Sequence, residues 1–251
     1  PSKITMLEGR LRNRVRATGS CSLSDYCGLL FDHDGLQEEA VHLIDAVTTN
    51  KTDFFREPEH FRILTGRVLP TLLAGDRPGT AQIKLWSAAC SIGAEAYTIA
   101  MVLADWSQQH GGLRVSILAT DLSTEVLAAG QRAVYADSLV SVVPPDMRRR
   151  YLLRSRDRAR GLVRIVPELR AWVRFVRLNL MDGEYPVDHD MDVIFCRNVL
   201  IYFDKPTQQA VLLRLCGHLR PGGFLFLGHS ESLAGMELPL RCIANTVFRR
   251  M

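Results

Sequence analysis

Leu85-Trp-Ser-Ala-Ala-Cys-Ser-Ile-Gly-Ala-Glu-Ala-Tyr-Thr-Ile-Ala-Met101 opens as a short apolar run, breaks into small residues, and closes on a helical pattern. It reads as strand, tight turn and helix. The small residues Ala88, Ala89, Ser91 and Gly93 let a backbone pass close to a ligand, and Glu95 at the helix start offers an acceptor rather than a phosphate cradle. A second strand-like run, Val115-Ser-Ile-Leu-Ala-Thr-Asp121, ends in a carboxylate at roughly the spacing where doubly wound folds hold a ribose. Each acid alone has an ordinary explanation, since acids favour helix starts and turns. Together, after successive strands, they point to a nucleoside.

Working outward, the alternation is regular: strand 83–88, helix 93–108, strand 115–119, helix 123–134, strands 172–177 and 192–196, helix 206–219 and strand 224–228. This predicts an α/β fold, a doubly wound, Rossmann-like parallel sheet with helices on both faces. Leu238–Ile243 and Thr246–Arg249 are expected to close one edge as an antiparallel pair. Between 135 and 171 the pattern departs, predicting an inserted antiparallel β-subdomain at about 143–171. Upstream, Ile4, Leu7, Leu11 and Val15 recur at helical spacing, flanked by Arg10 and Arg14 on one side and Arg12 and Arg16 on the other. Ser22-Leu-Ser-Asp25 caps a second helix and a third runs from Leu36 to about Val47, so residues 1–47 form a small helical domain ahead of the main domain, 48–251. Because the chain opens inside a helical pattern, a preceding helix is expected to be missing. Residues 50–74 read as helices broken at Pro58 and Pro70, and Gly75-Asp-Arg-Pro-Gly79 as a linker.

The 251 residues are 47% hydrophobic, enough for a sizeable core, and no run approaches the ~18 apolar residues of a membrane span. The N-terminus lacks a signal-peptide core, which predicts a cytoplasmic protein without membrane insertion. Six cysteines form no C-x-x-C and sit mostly in apolar runs, the pattern of buried thiols; no metal is implied. The net charge is only +4, yet residues 148–177 carry eleven arginines against Asp157 and Glu168. That block reads equally well as a solvated surface or as a docking face for an acidic partner. Nucleic acid is disfavoured, because no stacking-aromatic motif interleaves with the arginines and no nucleic-acid module pattern is present.

The first turn matches neither G-x-G-x-x-G nor G-x-x-x-x-G-K-[ST], so a pyrophosphate or triphosphate fits poorly. A nucleoside with a cationic group suits an acid-lined, Lys-free turn, and S-adenosylmethionine (SAM) is such a ligand. Asp192-Val-Ile-Phe-Cys-Arg-Asn-Val-Leu-Ile-Tyr-Phe203 is a buried strand that ends in Arg197 and Asn198, facing the same crevice. Taken alone, Tyr202 reads as core. Gly228-His-Ser-Glu-Ser232 approaches a hydrolase elbow but lacks the second glycine, and no histidine follows His229, which excludes the esterase reading. Thr48-Thr-Asn-Lys-Thr-Asp-Phe-Phe-Arg-Glu57 reads, on physics alone, as a helix cap at Asn50 or Thr52 followed by core phenylalanines.

These motifs, in this order, resemble the chemotaxis receptor glutamate methyltransferases of the CheR family over nearly the whole chain. They are the basic first helix, T-T-N-K-T-D-F-F-R-E, W-S-A-A-C-S-I-G-A-E-A-Y, A-T-D, G-L-V-R, L-N-L, I-F-C-R-N-V-L-I-Y-F and G-H-S-E. The resemblance implies SAM as donor and S-adenosylhomocysteine as product, with contacts from Asn50, Thr52, Arg56, Glu95, Asp121, Asn179, Leu180, Arg197 and Asn198. It implies catalytic roles for Arg56 and Tyr202, and Arg10 and Arg16 as contacts to the protein substrate. The implied partner is the cytoplasmic helical bundle of a chemoreceptor, met by a monomer recruited to receptor clusters. Ala89, Ala94 and Ala96 depart from the family's usual residues but only flank these contacts. Between Arg154 and Gly161, Ser-Arg-Asp-Arg-Ala-Arg stands where members that tether to a receptor's C-terminal pentapeptide carry glycines, so such tethering is not expected.

A glutamate with a pKa of about 4.3 is already ionised at neutral pH, so its esterification needs no general base. One alternative is a methyltransferase acting on another acidic or small-molecule acceptor, against which the basic first helix argues; the other is a SAM-binding adaptor in a signalling array that has lost turnover. Arg56 and Tyr202 argue against it.

Overall fold

The structure, a computed structural model, describes residues 2–32, 35–48, 50–74 and 81–251; the expected linker at 75–79 lies outside the described residues. Its central element is β7 (Met191–Cys196), in which all six residues are buried. Such a strand needs cover on both faces. It has a neighbour on each side: β1 (Gln82–Ala88) and β8 (Leu219–Leu227), both parallel to it. Beyond β1 lie β2 (Arg114–Asp121) and β6 (Val173–Arg177), also parallel. Beyond β8, β10 (Val247–Arg250) pairs antiparallel with both β8 and β9 (Leu240–Ala244), completing seven strands in the order β6-β2-β1-β7-β8-β10-β9. The antiparallel edge forms as the sequence predicted. Strand order reverses between β1 and β7, and such a switch point leaves a crevice at the carboxyl ends of the strands.

The period of two decides the layers. Ile83, Leu85, Ile117, Ala119, Val193 and Phe195 face one core, shared with α6 (Ala94–Gln109). Trp86, Ala88, Leu118, Ile194 and Cys196 face the other, under α10 (Lys205–His218). The first core also receives Phe61, Leu64, Val68 and Leu69 from α4 (Glu59–Ile63), a π-helical turn at Leu64–Val68, and α5 (Leu69–Leu72). Pro70 therefore does not break the helix, contrary to the expectation. The π turn shifts the ladder, with Leu69 N–H donating to Leu64 O, and Pro70 occupies the first turn of α5, where its missing N–H costs little.

The small N-terminal helices are α1 (Ser2–Ala17), α2 (Leu23–Phe31) and α3 (Leu36–Val47). The Ile4 side chain of the predicted stripe lies outside the described residues. The two arginine flanks of α1 differ. Arg14 holds Glu39 of α3 in a fork at 2.6 and 3.1 Å, with Tyr26 donating to the same carboxylate, whereas Arg12 and Arg16 are exposed. Asp45 of α3 accepts from Thr124 N at 3.0 Å and Thr124 Oγ1 at 2.9 Å, docking this layer on the start of α7 (Thr124–Arg132).

The insert is a three-stranded antiparallel sheet, β3 (Val134–Ala136), β5 (Leu162–Ile165) and β4 (Leu152–Arg154), with α8 (Pro145–Tyr151) and α9 (Pro167–Arg170). It begins before residue 143, because α7 ends at Arg132 with Ala133 in the left-handed region and the chain turns at once into β3. Several arginines of the basic block are neutralised by acids from outside it: Arg148 by Asp137, Arg150 by Asp105 and Arg174 by Asp188. Local charge excess is thus smaller than the linear sequence suggests.

Candidate active site

A cleft of about 370 Å³ opens at the carboxyl ends of β1, β2 and β7. After β1, Ala89, Ser91 and Gly93 take positive φ values of 59°, 51° and 83°, which curls the backbone tightly into α6. Two residues with a Cβ in this region mark a strained, over-determined turn. Asp121 ends β2 and accepts from Ser91 N at 2.8 Å and Ser123 N at 3.1 Å. Burial pushes its pKa up, opposed by these N–H groups. Glu95 accepts from Ser87 Oγ at 2.7 Å and Arg197 Nη1 at 3.1 Å; burial raises its pKa, and the Arg197 charge opposes the rise.

Asn50, Thr52, Arg56, Glu95, Asp121, Asn179, Leu180, Arg197, Asn198 and Tyr202 all line this one cleft. Residues spread over some 150 positions are thereby brought together. Their uses are not uniform. Arg197 is buried, and its guanidinium is taken up by Glu95, by an ion pair with Glu57 at 3.1 Å and by Arg56 O at 2.5 Å. The Asn179 amide bonds within its own loop, to Asp182 and Met181 N. Tyr202 is 60% exposed at the mouth of the cleft, not core as its sequence context alone suggests. Asn50 and Thr52 do not cap a helix: α4 starts only at Glu59, after Pro58, without a side-chain cap. Asn50 O instead accepts from Ser91 Oγ at 2.7 Å, which ties this loop to the turn after β1. Thr49 of the same motif lies outside the described residues.

Arg10 and Arg16 stand apart from this group. Arg10 donates to Val47 O at 2.5 Å and Thr48 O at 3.1 Å, and both of those residues line the cleft, whereas Arg16 is exposed.

Residues 50–249 match the model of the CheR methyltransferase SAM-binding domain, and residues 1–48 match its all-alpha domain. The chain belongs to the CheR methyltransferase family. It is 39% identical to a chemotaxis protein methyltransferase of Klebsiella aerogenes, over 98% of this chain and 81% of that one. It is 38% identical to the one of Escherichia coli K12, over 98% and 82%, and 34% identical to that of Borreliella burgdorferi, over 93% and 82%. It is a SAM-dependent methyltransferase with the fold of that class.

The residues of this CheR-family enzyme fit SAM. Buried Asp121 and partly buried Glu95 line a cleft of ligand size whose α6 entrance carries Glu95 in its first turn, which repels a phosphate and favours a cation. A cation other than the ligand finds less room. Glu57, His60 and His229 bring possible metal-ligating atoms within 4.8 Å of one another, but the Arg197 guanidinium already supplies positive charge at Glu57 Oε2.

Sequence reasoning missed the support behind the cleft. Glu231 accepts from the backbone N–H groups of Asn198, Val199, Leu200 and Gly228 at 2.6–3.0 Å, and so shapes the loop that carries Arg197, Asn198 and Tyr202. Gly228 has to be glycine there, since a Cβ would lie 2.9 Å from Asn198 N. The signal was the G-H-S-E run itself, which has no hydrolase use.

Proposed function

We propose that this methyltransferase forms methyl esters on glutamate side chains of the cytoplasmic helices of a chemoreceptor, as an adaptation enzyme recruited to receptor clusters and acting as a monomer. The observation that carries the reading is the cleft mouth. Arg56 and exposed Tyr202 flank it, no histidine stands among the described lining residues, and of the lining carboxylates Glu95 and Asp121 are taken up by Ser87, Arg197, Ser91 and Ser123 while Asp53 is exposed. An acceptor that must lose a proton would need a base there. A carboxylate acceptor does not.

When bound, SAM supplies a methyl group on positively charged sulfur. Glu95 and Asp121 hold the cofactor by its polar groups, Arg56 orients the acceptor carboxylate, and Tyr202 limits its approach to one line. Phe61, Leu178, Leu180, Val199 and Phe203 line the same cleft and exclude water. Cation and carboxylate would neutralise each other as the bond forms, so these apolar side chains at the mouth would favour the transition state over the separated charges. Labelled SAM and receptor cytoplasmic fragments test this. Label is expected in the fragment and should vanish when its acceptor glutamates become alanine; no label in any such fragment would contradict the proposal.

A further inference from the structure

Behind the cleft wall, three segments converge on one carboxylate. Glu57 Oε2 forms the ion pair with Arg197 at 3.1 Å, while Oε1 accepts from Asn198 Nδ2 and His229 N, each at 3.3 Å. His60 is 1% exposed; its Nδ1 faces Glu57 Oε2 at 3.4 Å, and its Nε2 lies 2.9 Å from the Thr246 hydroxyl. Phe55, Glu57 and Asn198 have φ values of 52°, 56° and 58°. Residues with a Cβ adopt this region only where surrounding contacts over-determine it, commonly at functional sites.

We propose that Glu57, backed by His60, is a positioning residue: it shares Arg197 with Glu95, keeping an excess negative charge in the cleft wall, and it fixes the Arg56 turn. One guanidinium faces two largely buried carboxylates, so with both ionised the trio carries one negative charge more than it neutralises; exposed His229 holds its Nε2 3.9 Å from Glu57 Oε2. That excess suits a sulfonium ligand and gives no such advantage to its neutral-sulfur product. Arg197 also donates to Arg56 O, so the pair Arg197–Glu57 holds the backbone from which the Arg56 side chain enters the cleft. Glu95 is faced by Arg197, Ser87 and Glu57, with the thiols of Cys90 and Cys196 nearby; the Glu57 charge raises its pKa and Arg197 lowers it. The inference rests on Glu95 and Arg197 forming the cofactor wall and is independent of which acceptor is methylated.

Calorimetry of SAM and of S-adenosylhomocysteine from pH 4.5 to 8 tests it on the full chain. Glu57→Gln keeps the shape and removes the charge. It is expected to weaken SAM about tenfold, the size of one partly screened buried charge, and the product clearly less. The acid limb of SAM binding should also move to lower pH, because Glu95 loses its repelling neighbour. Equal weakening of both ligands with an unmoved acid limb, or no weakening, overturns the proposal. Should Glu57→Gln not fold, Glu57→Asp, which keeps the charge, should retain the preference for SAM over its product, and loss of that preference overturns the proposal. Glu95→Gln separates the premise: unchanged affinity for both ligands in that variant would remove the wall itself, whereas weakening there but not in Glu57→Gln refutes only the positioning role.

Discussion

Asp121 serves two ends at once. It faces the cleft and satisfies the N–H groups of Ser91 and Ser123, so its loss is felt in binding and in stability. Asp121→Ala should weaken SAM by about 1–3 kcal/mol and destabilise the fold by about the same amount, because two buried donors lose their acceptor. Calorimetry and urea unfolding measure the two losses. His60 gives a pH prediction. Burial and the Arg197 charge lower its pKa from 6.5 to about 4, so the folded state holds fewer protons than the unfolded one between those values. Stability is complete above about pH 6.5 and falls as pH drops towards 4. Wild type should therefore lose up to about 3 kcal/mol relative to His60→Asn over that window, read by urea unfolding at each pH. Glu95 and Asp121 were legible in the sequence because a charge stands out where an apolar run ends. Glu57, His60 and Glu231 were not, since their partners are backbone groups and side chains far away in sequence, such as Asn198 N for Glu231 and Thr246 for His60.

Among elements, α7 shows which effect wins when propensity and packing disagree. Alanine is the better helix former by about 1 kcal/mol, which favours Gly130→Ala. A Cβ at 130, however, would lie 2.7 Å from Phe175 Cζ, in a ring packed between α7 and the turn at Gly93. Overpacking of this kind costs about 1–3 kcal/mol, so the variant should melt lower than wild type despite its propensity, as calorimetric scanning will show. The main sheet could be read from the sequence because buried parallel strands are continuous apolar runs separated by longer helical stretches. β3 could not, as three residues carry no period, and the π turn ahead of Pro70 is a tertiary solution that local rules cannot foresee. In the insert, the 155–160 loop closes on a 3-10 turn capped by Asp157 and needs a left-handed residue only at Gly161.

At the scale of the whole molecule, α1 divides its arginines between holding the enzyme together and facing outward. Arg16→Glu should raise the apparent KM for an acidic protein acceptor while SAM affinity stays unchanged, and the effect should shrink at high salt. Arg10→Glu should disturb both, because Arg10 grips the carbonyls of Val47 and Thr48 at the rim of the cleft. Steady-state kinetics with calorimetry of SAM separates the two. Among the described residues no helix is long and apolar enough to cross a membrane. The chemistry of the transferred methyl group tests the central claim most directly. After reaction of labelled SAM with a receptor fragment, mild alkali should release the label as volatile methanol, the behaviour of a carboxyl ester. Label that survives alkali on the protein, as a methylated amine would, contradicts the account.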